Sequence, residues 1–539
     1  MKTDIAPPRP STTTPVALTA LVDVAGLPPH PGAAGVAVSG VTLRAHQARP
    51  GDLFAALPGA RAHGADYAAN AVAAGAVAVL TDPAGAARLD GLGVPVLAHD
   101  DPRRVLGPVA ARVYGEPSTK LAIIGVTGTA GKTTTTYLIE AGLARAGHTT
   151  GLIGTVETRV AGERLDSAFT TPEAPDLQAL LALMVERGVT HVAMEVSSHA
   201  LALGRADATR FAVGAFTNLS QDHLDFHPDL EDYFAAKARL FDGRAGVEVV
   251  CVDGEWGRRL VRPGTVTVST TGADATWWAD NVEVAPSGAQ GFDVHGPGGF
   301  GYRMLSRLPG AFNVANTLLA LACLDAAGVD VRLAARAVAG VDVAGRMERV
   351  RRGQDFVAIV DYAHKPAAVS AVLDAVRGQH PAARVAVVLG CGGDRDTAKR
   401  PVMGAEAAAR SDLLVVTDDN PRSEDPAAIR AEMLAGAFDV PADRRGEITE
   451  VGDRRAAIRH AVRWARPGDV VVIAGKGHEA GQEINGVTHP FSDRDELIAA
   501  IDDLLADAPA SPGSPLEPSS PGPAPGSASP GPGEAADRP

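Results

Sequence analysis

Cysteine is nearly absent from this chain of 539 residues. The three that occur, Cys251, Cys323 and Cys391, are far apart and odd in number, which excludes a disulfide scaffold and any CxxC metal site and fits a reducing cytoplasm. No run of about 18 apolar residues exists, so no transmembrane helix is expected. Met1 to Pro15 carries one lysine and no apolar core, so it does not read as a secretory signal. Positive charge is in deficit: the formal net charge is −14, which argues against a general nucleic-acid binder or a partner of anionic membranes. Lysine is scarcest of the basic residues. Of 50 Lys and Arg, only seven are lysine: Lys2, Lys120, Lys132, Lys237, Lys365, Lys399 and Lys476. Where general positive charge has gone to arginine, a lysine that remains is a candidate for a task that arginine cannot perform.

What is present is ordinary for a globular protein, 45% hydrophobic and 21% charged. At about 150 residues per domain the length suits roughly three to four domains. Residues 1–15 are Pro/Thr-rich and read as a flexible arm. Residues 509–539 hold ten Pro, five Gly and six Ser and read as a disordered tail. Between them, short Val/Ile/Leu runs alternate with Ala/Leu-rich helical stretches: LAIIGVTG (121–128), THVAMEVSS (190–198), FAVGAFTNL (211–219), FVAIVDYAH (356–364), ARVAVVLGCGG (383–393), DLLVVTDDNP (412–421) and DVVVIAGKGHE (469–479). Continuous apolar runs bounded by turn residues predict parallel strands buried on both faces, and the alternation predicts an α/β fold. The strands run straight into TGTAGKTT, EVSSH, TNLSQDH, DYAH, GCGGDRD, DDNPR and GKGHE. Ligands of open α/β sheets sit beyond the carboxyl ends of strands, so two sites are expected, one on a middle sheet and one on a last sheet.

The strongest single motif is Gly128-Thr129-Ala130-Gly131-Lys132-Thr133-Thr134, which follows an apolar strand and opens a helix. Glycines admit phosphate oxygens to the backbone N–H groups and the helix N-terminus favours the anion. Lys132 is placed to contact outer phosphates and the Thr133 hydroxyl to ligate Mg²⁺. Val126 stands where a strict Walker A loop has glycine, so the loop is a variant. Glu195 and His223 each follow a strand; with Thr133 they offer hard oxygens and one imidazole to a divalent ion. Lys237 lies in the amphipathic helix YFAAKARLF (233–241).

In order along the chain, PGDLF (50–54), GTAGKTT (128–134), TTP (170–172), EVSSHAL (195–201), TNLSQDHLDFH (217–227), YFAAKARLF, GAFNVANTLLAL (310–321), GRMERV (345–350), DYAHKP (361–366), GCGGDRD (390–396), KRPVM (399–403), DNPR (419–422) and GKGHE (475–479) resemble the Mur ligases, ATP-dependent amide-forming enzymes of peptidoglycan precursor synthesis. The resemblance implies three domains: a UDP-substrate-binding domain over 16–117, a central P-loop ATP-binding domain over 118–343 and a smaller Rossmann-like ligase domain over 344–508. It implies ATP and Mg²⁺ as cofactors, a UDP-N-acetylmuramoyl dipeptide as substrate and a monomer in the cytoplasm. Lys132, Lys237 and His223 are the implied catalytic residues. Lys237 would be carbamylated and would form metal sites with Thr133, Glu195 and His223, while Asn316, Arg346 and Asp361 would contact ATP. Leu43, Ala45, Thr170, Thr171, Ser197 and Arg205 would hold the UDP substrate. Asp419-Asn420-Pro421-Arg422 accompanies meso-diaminopimelate as the added amino acid in this family. The far carboxylate of that amino acid suits a bidentate arginine such as Arg422; Glu479 would hold its far ammonium, and Arg395 and Gly475 would complete the site. Folylpolyglutamate synthases share the central chemistry but lack the DNPR and GKGHE pair.

The sequence departs from the family pattern at Arg44, Ala45 and His46, at Phe169 and at Leu203, all on the nucleotide-sugar side. It departs also at Lys365, where DYAH is often followed by threonine, and the sequence assigns that lysine no role.

Overall fold

The structure is a computed structural model that describes residues 6–59, 62–165, 170–285 and 288–507. The expected tail 509–539 and Phe169 lie outside the described residues. Three main sheets follow one another along the chain. The first has four parallel strands, Gly40–Thr42, Asp52–Ala56, Ala78–Thr81 and Val96–Ala98.

The central sheet has 11 strands. Its heart is parallel, in the order Thr150–Ile153, His191–Glu195, Ala122–Thr127, Phe211–Phe216, Ala245–Cys251. Antiparallel strands extend it at both edges, Thr158–Val160 and Glu163–Leu165 at one, Gln290–Gly296 and Phe300–Ser306 at the other. The apolar runs form strands because both faces are covered. Ile124 and Val126 point into a core shared with Leu138, Ile139, Leu318 and Leu321, whereas Ile123 points into another with Leu177, Leu180 and Met184. Successive residues of one strand thus feed opposite layers, each closed by helices.

The last sheet has six strands, Glu348–Val350, Val357–Asp361, Val470–Ala474, Val385–Leu389, Leu413–Val416 and Glu447–Glu450. Only the first is antiparallel. Alternation recurs here: Val385, Val387 and Leu389 face one core, Ala386 and Val388 the other. Among the described residues no helix is long and apolar enough to cross a membrane.

The expectation of a free arm is corrected at Arg9 and Ser11. Residues 6–15 hold no helix or strand, yet Arg9 donates to both carboxylate oxygens of buried Asp52 at 2.7 and 2.9 Å, and the Ser11 backbone N–H donates to Glu186 at 2.8 Å. A buried carboxylate needs a cation, and Asp52, inside PGDLF, recruits one from the arm.

Candidate active site

The carboxyl ends of three central strands deliver Thr127, Glu195 and Phe216 side by side. The chain then turns through Gly128, with φ +145°, and Gly131, with φ +87°. A Cβ on Gly128 would lie 1.8 Å from the Thr217 hydroxyl oxygen, and one on Gly131 would lie 2.3 Å from Asn316 Oδ1. The loop therefore takes this path only with glycine at both points. Asn218 fixes it: its carbonyl accepts the Thr129 N–H at 2.9 Å and its side chain the Ala130 N–H at 3.0 Å. The helix Lys132–Arg145 starts here with no side-chain cap, so its first N–H groups are left for an anion.

Three lysines converge on two carbonyls of this loop. Lys132 donates to Gly128 O at 2.8 Å and Thr129 O at 3.1 Å, Lys237 to Gly128 O at 2.8 Å, and Lys365 to Thr129 O at 3.1 Å. Burial, and behind it the Lys365 charge, lowers the Lys132 ammonium to about 8. Burial, followed by the charges of Lys132 and Lys365, pushes Lys237 well below the ordinary lysine range. Lys237 is 1% exposed and its nitrogen lies 4.3 Å from the centroid of the Tyr233 ring.

Glu195 Oε1 accepts the Thr133 hydroxyl at 2.9 Å and the Thr155 N–H at 2.7 Å; Oε2 accepts the Thr155 hydroxyl at 3.0 Å. His223 has a left-handed φ of 55° and its Nε2 stands 2.9 Å from Asp222 Oδ2. Burial lowers the His223 imidazole. Burial alone would raise Asp222, but Lys365 and His223 together hold it well below the usual carboxylate range. Of the four residues expected to hold metal, Thr133 and Glu195 touch one another, whereas His223 and Lys237 contact other groups.

The last domain supplies the opposite wall. Arg346 donates to the Thr133 hydroxyl at 3.3 Å and lies 4.3 Å from the centroid of the Tyr362 ring. Asp361 accepts the Met347 and Ala363 N–H groups, both at 2.7 Å, and burial raises its carboxyl. Between the walls lies a cavity of about 360 Å³, bounded by Gly131, Lys132, Asn316, Arg346, Tyr362 and Lys365 among others. Thr129, Ala130, Thr133, Thr134, Glu195 and Asp361 also line it; Lys237 and His223 do not.

A second polar cluster adjoins it through Tyr362, whose ring lies 5.1 Å from that of His478. Asn420 donates to Glu479 Oε2 at 3.0 Å, and the fully buried Lys476 donates to Asn420 Oδ1 at 2.9 Å and Glu479 Oε2 at 3.1 Å. Asp419 stands beside Gly475, and its Oδ2 is buried without a hydrogen-bond partner. Arg422, left-handed at φ 52° after buried Pro421, is not a free fork: it donates to Gly393 O at 2.6 Å and its Nε lies 3.3 Å from Glu483. Arg395 is exposed on the neighbouring loop.

The residues expected to hold the UDP substrate straddle the first and central domains. The Thr171 hydroxyl donates to Glu195 O at 2.9 Å and accepts the Ser197 N–H at 3.2 Å, and Thr170 meets Thr155 at 3.1 Å. The Ser197 hydroxyl accepts the Ala200 N–H at the start of its helix. Arg205 pairs with Glu173 at 2.9 Å. Half-buried Leu43 and buried Ala45 flank Arg44, which reaches Asp176 at 2.9 Å.

Sequence reasoning missed Thr155, Asn218, Asp222, Tyr233, Lys365 and Lys476 as members of these sites. The scarcity of lysine was the available signal. Lys2 lies outside the described residues and Lys120 is exposed; the other five all stand at the two sites, Lys399 by donating to His364 O at 3.1 Å.

Three family profiles match the chain: "Mur ligase family, catalytic domain" over residues 37–114, "Mur ligase middle domain" over 126–324 and "Mur ligase, glutamate ligase domain" over 345–477. The chain is 54% identical to UDP-N-acetylmuramoyl-L-alanyl-D-glutamate--2,6-diaminopimelate ligase of Streptomyces coelicolor, over 92% of this chain and 98% of that protein. It is 54% identical to the Corynebacterium glutamicum protein of the same name, over 84% and 89%. A solved structure of a ligase of that name is similar with a TM-score of 0.63 at 31% identity, over 91% of this chain and 100% of the other.

Proposed function

The chain belongs to the Mur ligase family, and on that premise we propose that it joins meso-diaminopimelate to UDP-N-acetylmuramoyl-L-alanyl-D-glutamate with ATP, releasing ADP and phosphate. The observation that carries this reading is one open junction. A phosphate loop forms one wall, and the Asp419-Asn420-Pro421-Arg422 turn and Glu479 stand behind the other.

The reaction has two steps. A substrate carboxylate oxygen takes the γ-phosphoryl group from ATP, forming a C–O–P link and ADP. The amine of the incoming amino acid then attacks the acyl carbon; the C–N bond forms, the C–O bond to phosphate breaks and the amine gives up a proton. The protein's part is to position these groups and balance their charge. The N–H groups of the Lys132–Arg145 helix and the Lys132 ammonium face the phosphates. Arg346 and Asn316 hold the nucleotide from the two sides of the cavity, with Asp361 fixing the Met347 N–H beside Arg346. The hard-oxygen pair of Thr133 and Glu195, already in contact, fits Mg²⁺; with His223 these residues would hold it. When bound, the ion would neutralise charge on the transferring phosphoryl group. Burial, and behind it the neighbouring lysine charges, disfavour the Lys237 ammonium; carbon dioxide added to its neutral amine, with loss of a proton, would place a carbamate anion there. Arginine has no equivalent chemistry. Thr170, Thr171, Ser197, Arg205, Leu43 and Ala45 receive the UDP substrate at the other domain boundary. Arg422 and Glu479, with Arg395, Asp419, Asn420, Pro421 and Gly475 around them, receive the far end of diaminopimelate. Three buried free cysteines suit a cytoplasmic setting.

The test is phosphate release by the purified protein, with product mass determined. Release should require ATP, the UDP dipeptide and meso-diaminopimelate together, and the product should gain one diaminopimelate residue. Release that ignores the amino acid, or prefers lysine, overturns the assignment.

A further inference from the structure

Lys365 is the lysine for which the motif reading had no use, and it makes the most telling contact in the cavity. It stands between the strand Val357–Asp361 and the helix Pro366–Gln379. Pro366 at the first helical position favours an extended residue before it, and Lys365 is extended at φ −131°, ψ 148°. From there the side chain leaves its own domain. Its Nζ lies 2.6 Å from Asp222 Oδ2 and donates to Thr129 O at 3.1 Å, both on the central domain. Lys365 is 8% exposed and Asp222 5%. One ammonium thus touches the phosphate loop itself and the carboxylate that faces His223.

We propose that Lys365 is a positioning residue that couples docking of the C-terminal domain to nucleotide binding at the phosphate loop. The inference rests on the ATP-site reading above.

Two domains that meet across a hollow, polar junction are expected to move relative to one another. When they separate, Lys365 and Asp222 both return to water. When they meet, both lose it, and a buried pair regains that loss only with good geometry. The pair therefore rewards one docked arrangement and no other. Docking also brings the Lys365 charge to a loop that already holds the Lys132 ammonium. The Lys132 and Lys365 ammonium groups, both bonded to Thr129 O, repel one another, and Asp222 is paired with Lys365 alone. The polyphosphate of a nucleotide supplies the missing negative charge, so its presence should favour docking. By linkage, docking must favour the nucleotide to the same degree. A threonine at this position has neither the charge nor the reach.

The test uses the full-length protein, the magnesium complex of a non-hydrolysable ATP analogue, calorimetry for affinity and small-angle scattering for the radius of gyration. Wild type should contract when the analogue binds. Lys365→Met should bind it roughly 10-fold more weakly, inside the usual range of allosteric coupling, and should lose most of the contraction. Asp222→Asn should do the same, and the double variant should be little worse than either single one, as expected for partners in one interaction. If Lys365→Met does not fold, Asp222→Asn and Lys365→Arg carry the comparison, with the arginine variant keeping part of the contraction. Wild-type affinity and contraction in Lys365→Met would overturn the proposal. So would a normal Asp222→Asn beside a weakened Lys365→Met, which would make Lys365 a plain phosphate contact. A wild-type protein without diaminopimelate-dependent phosphate release instead removes the functional reading and leaves the coupling measurement standing.

Discussion

The central domain meets its two neighbours in opposite ways. Towards the first domain the junction is filled: the helix Pro102–Val113 packs on the helix Ala174–Glu186. Arg44–Asp176 and Arg103–Glu173 close its rim at 2.9 and 3.1 Å. Towards the last domain the junction encloses a cavity of about 360 Å³, and the groups that cross it, Arg346 and Lys365, end on the phosphate loop or its immediate neighbours. Packed helices fix a distance, whereas across the void the two domains are held by a few polar contacts. On the proposed function the chemistry belongs to the hollow junction, and the filled one would be the frame against which the other closes.

Removing charge from the hollow junction should give the largest effect. Lys132→Ala is expected to lower phosphate release by about 10²–10³-fold, the range found when one preorganised charge-stabilising donor is lost. The melting temperature should hardly move, since among the described residues Lys132 bonds to two carbonyls of its own loop and no others. Equal losses of activity and stability would mean that the loop is structural and would end the contrast between the junctions.

Next comes the cluster behind the cavity that is proposed to select the amino acid. Both diaminopimelate and lysine present the same reacting amine, so discrimination must arise at the far end, where only diaminopimelate has a carboxylate. A charged hydrogen bond there is worth about 1.5–3 kcal/mol, or roughly one to two decades. Lysine has the far ammonium without the carboxylate beside it, so the guanidinium would lose its partner and face an uncompensated like charge. Arg422 spends part of its fork on Gly393 O and Glu483, so Arg422→Ala also loosens the turn. The ratio of kcat/KM for the two amino acids separates these effects: it should fall 10- to 100-fold, and an unchanged ratio returns DNPR to being a turn.

How much of this was legible in the chain depends on distance along it. The phosphate loop, DNPR and GKGHE are contiguous, and their chemistry follows from residue types at fixed spacing. The strand ends placed Glu195, Asp361 and Asp419 at the sites because a parallel sheet aligns its carboxyl ends. Lys365 and Asp222 were not legible as partners, being 143 positions apart by number. Nothing local in DYAHKP says that its lysine leaves its own domain. Arg9 failed for the same reason in reverse: a Pro/Thr-rich arm looks free until a buried Asp52 is found to need it. Lysine counting was the one global signal that reached across, since it measures what arginine could not replace wherever the residue lies.

The smallest effect should come from the rim of the filled junction, and Arg103→Ala measures it. Arg103 holds Glu173 at 3.1 Å, but its side chain is 36% exposed, so water screens the pair. Exposed pairs of this kind contribute about 0.2–1 kcal/mol. The loss is softened further because Glu173 keeps Arg205 at 2.9 Å and is not left as an unpaired charge. Packing of the helix Pro102–Val113 against the central domain does not depend on the guanidinium, so the frame should hold. The melting temperature should fall by no more than about 4–8 °C, the shift that 1 kcal/mol produces in a domain of about 100 residues. The Michaelis constant for ATP should stay at the wild-type value, because no part of the Arg103 pair reaches the phosphate loop. A modest rise for the UDP dipeptide is acceptable, since Arg205, its neighbour on Glu173, is proposed to hold that substrate. Should ATP affinity fall instead by the order of magnitude expected for Lys365→Met, the first domain would be part of the closing machinery, and the division between a fixed junction and a working one would have to be abandoned.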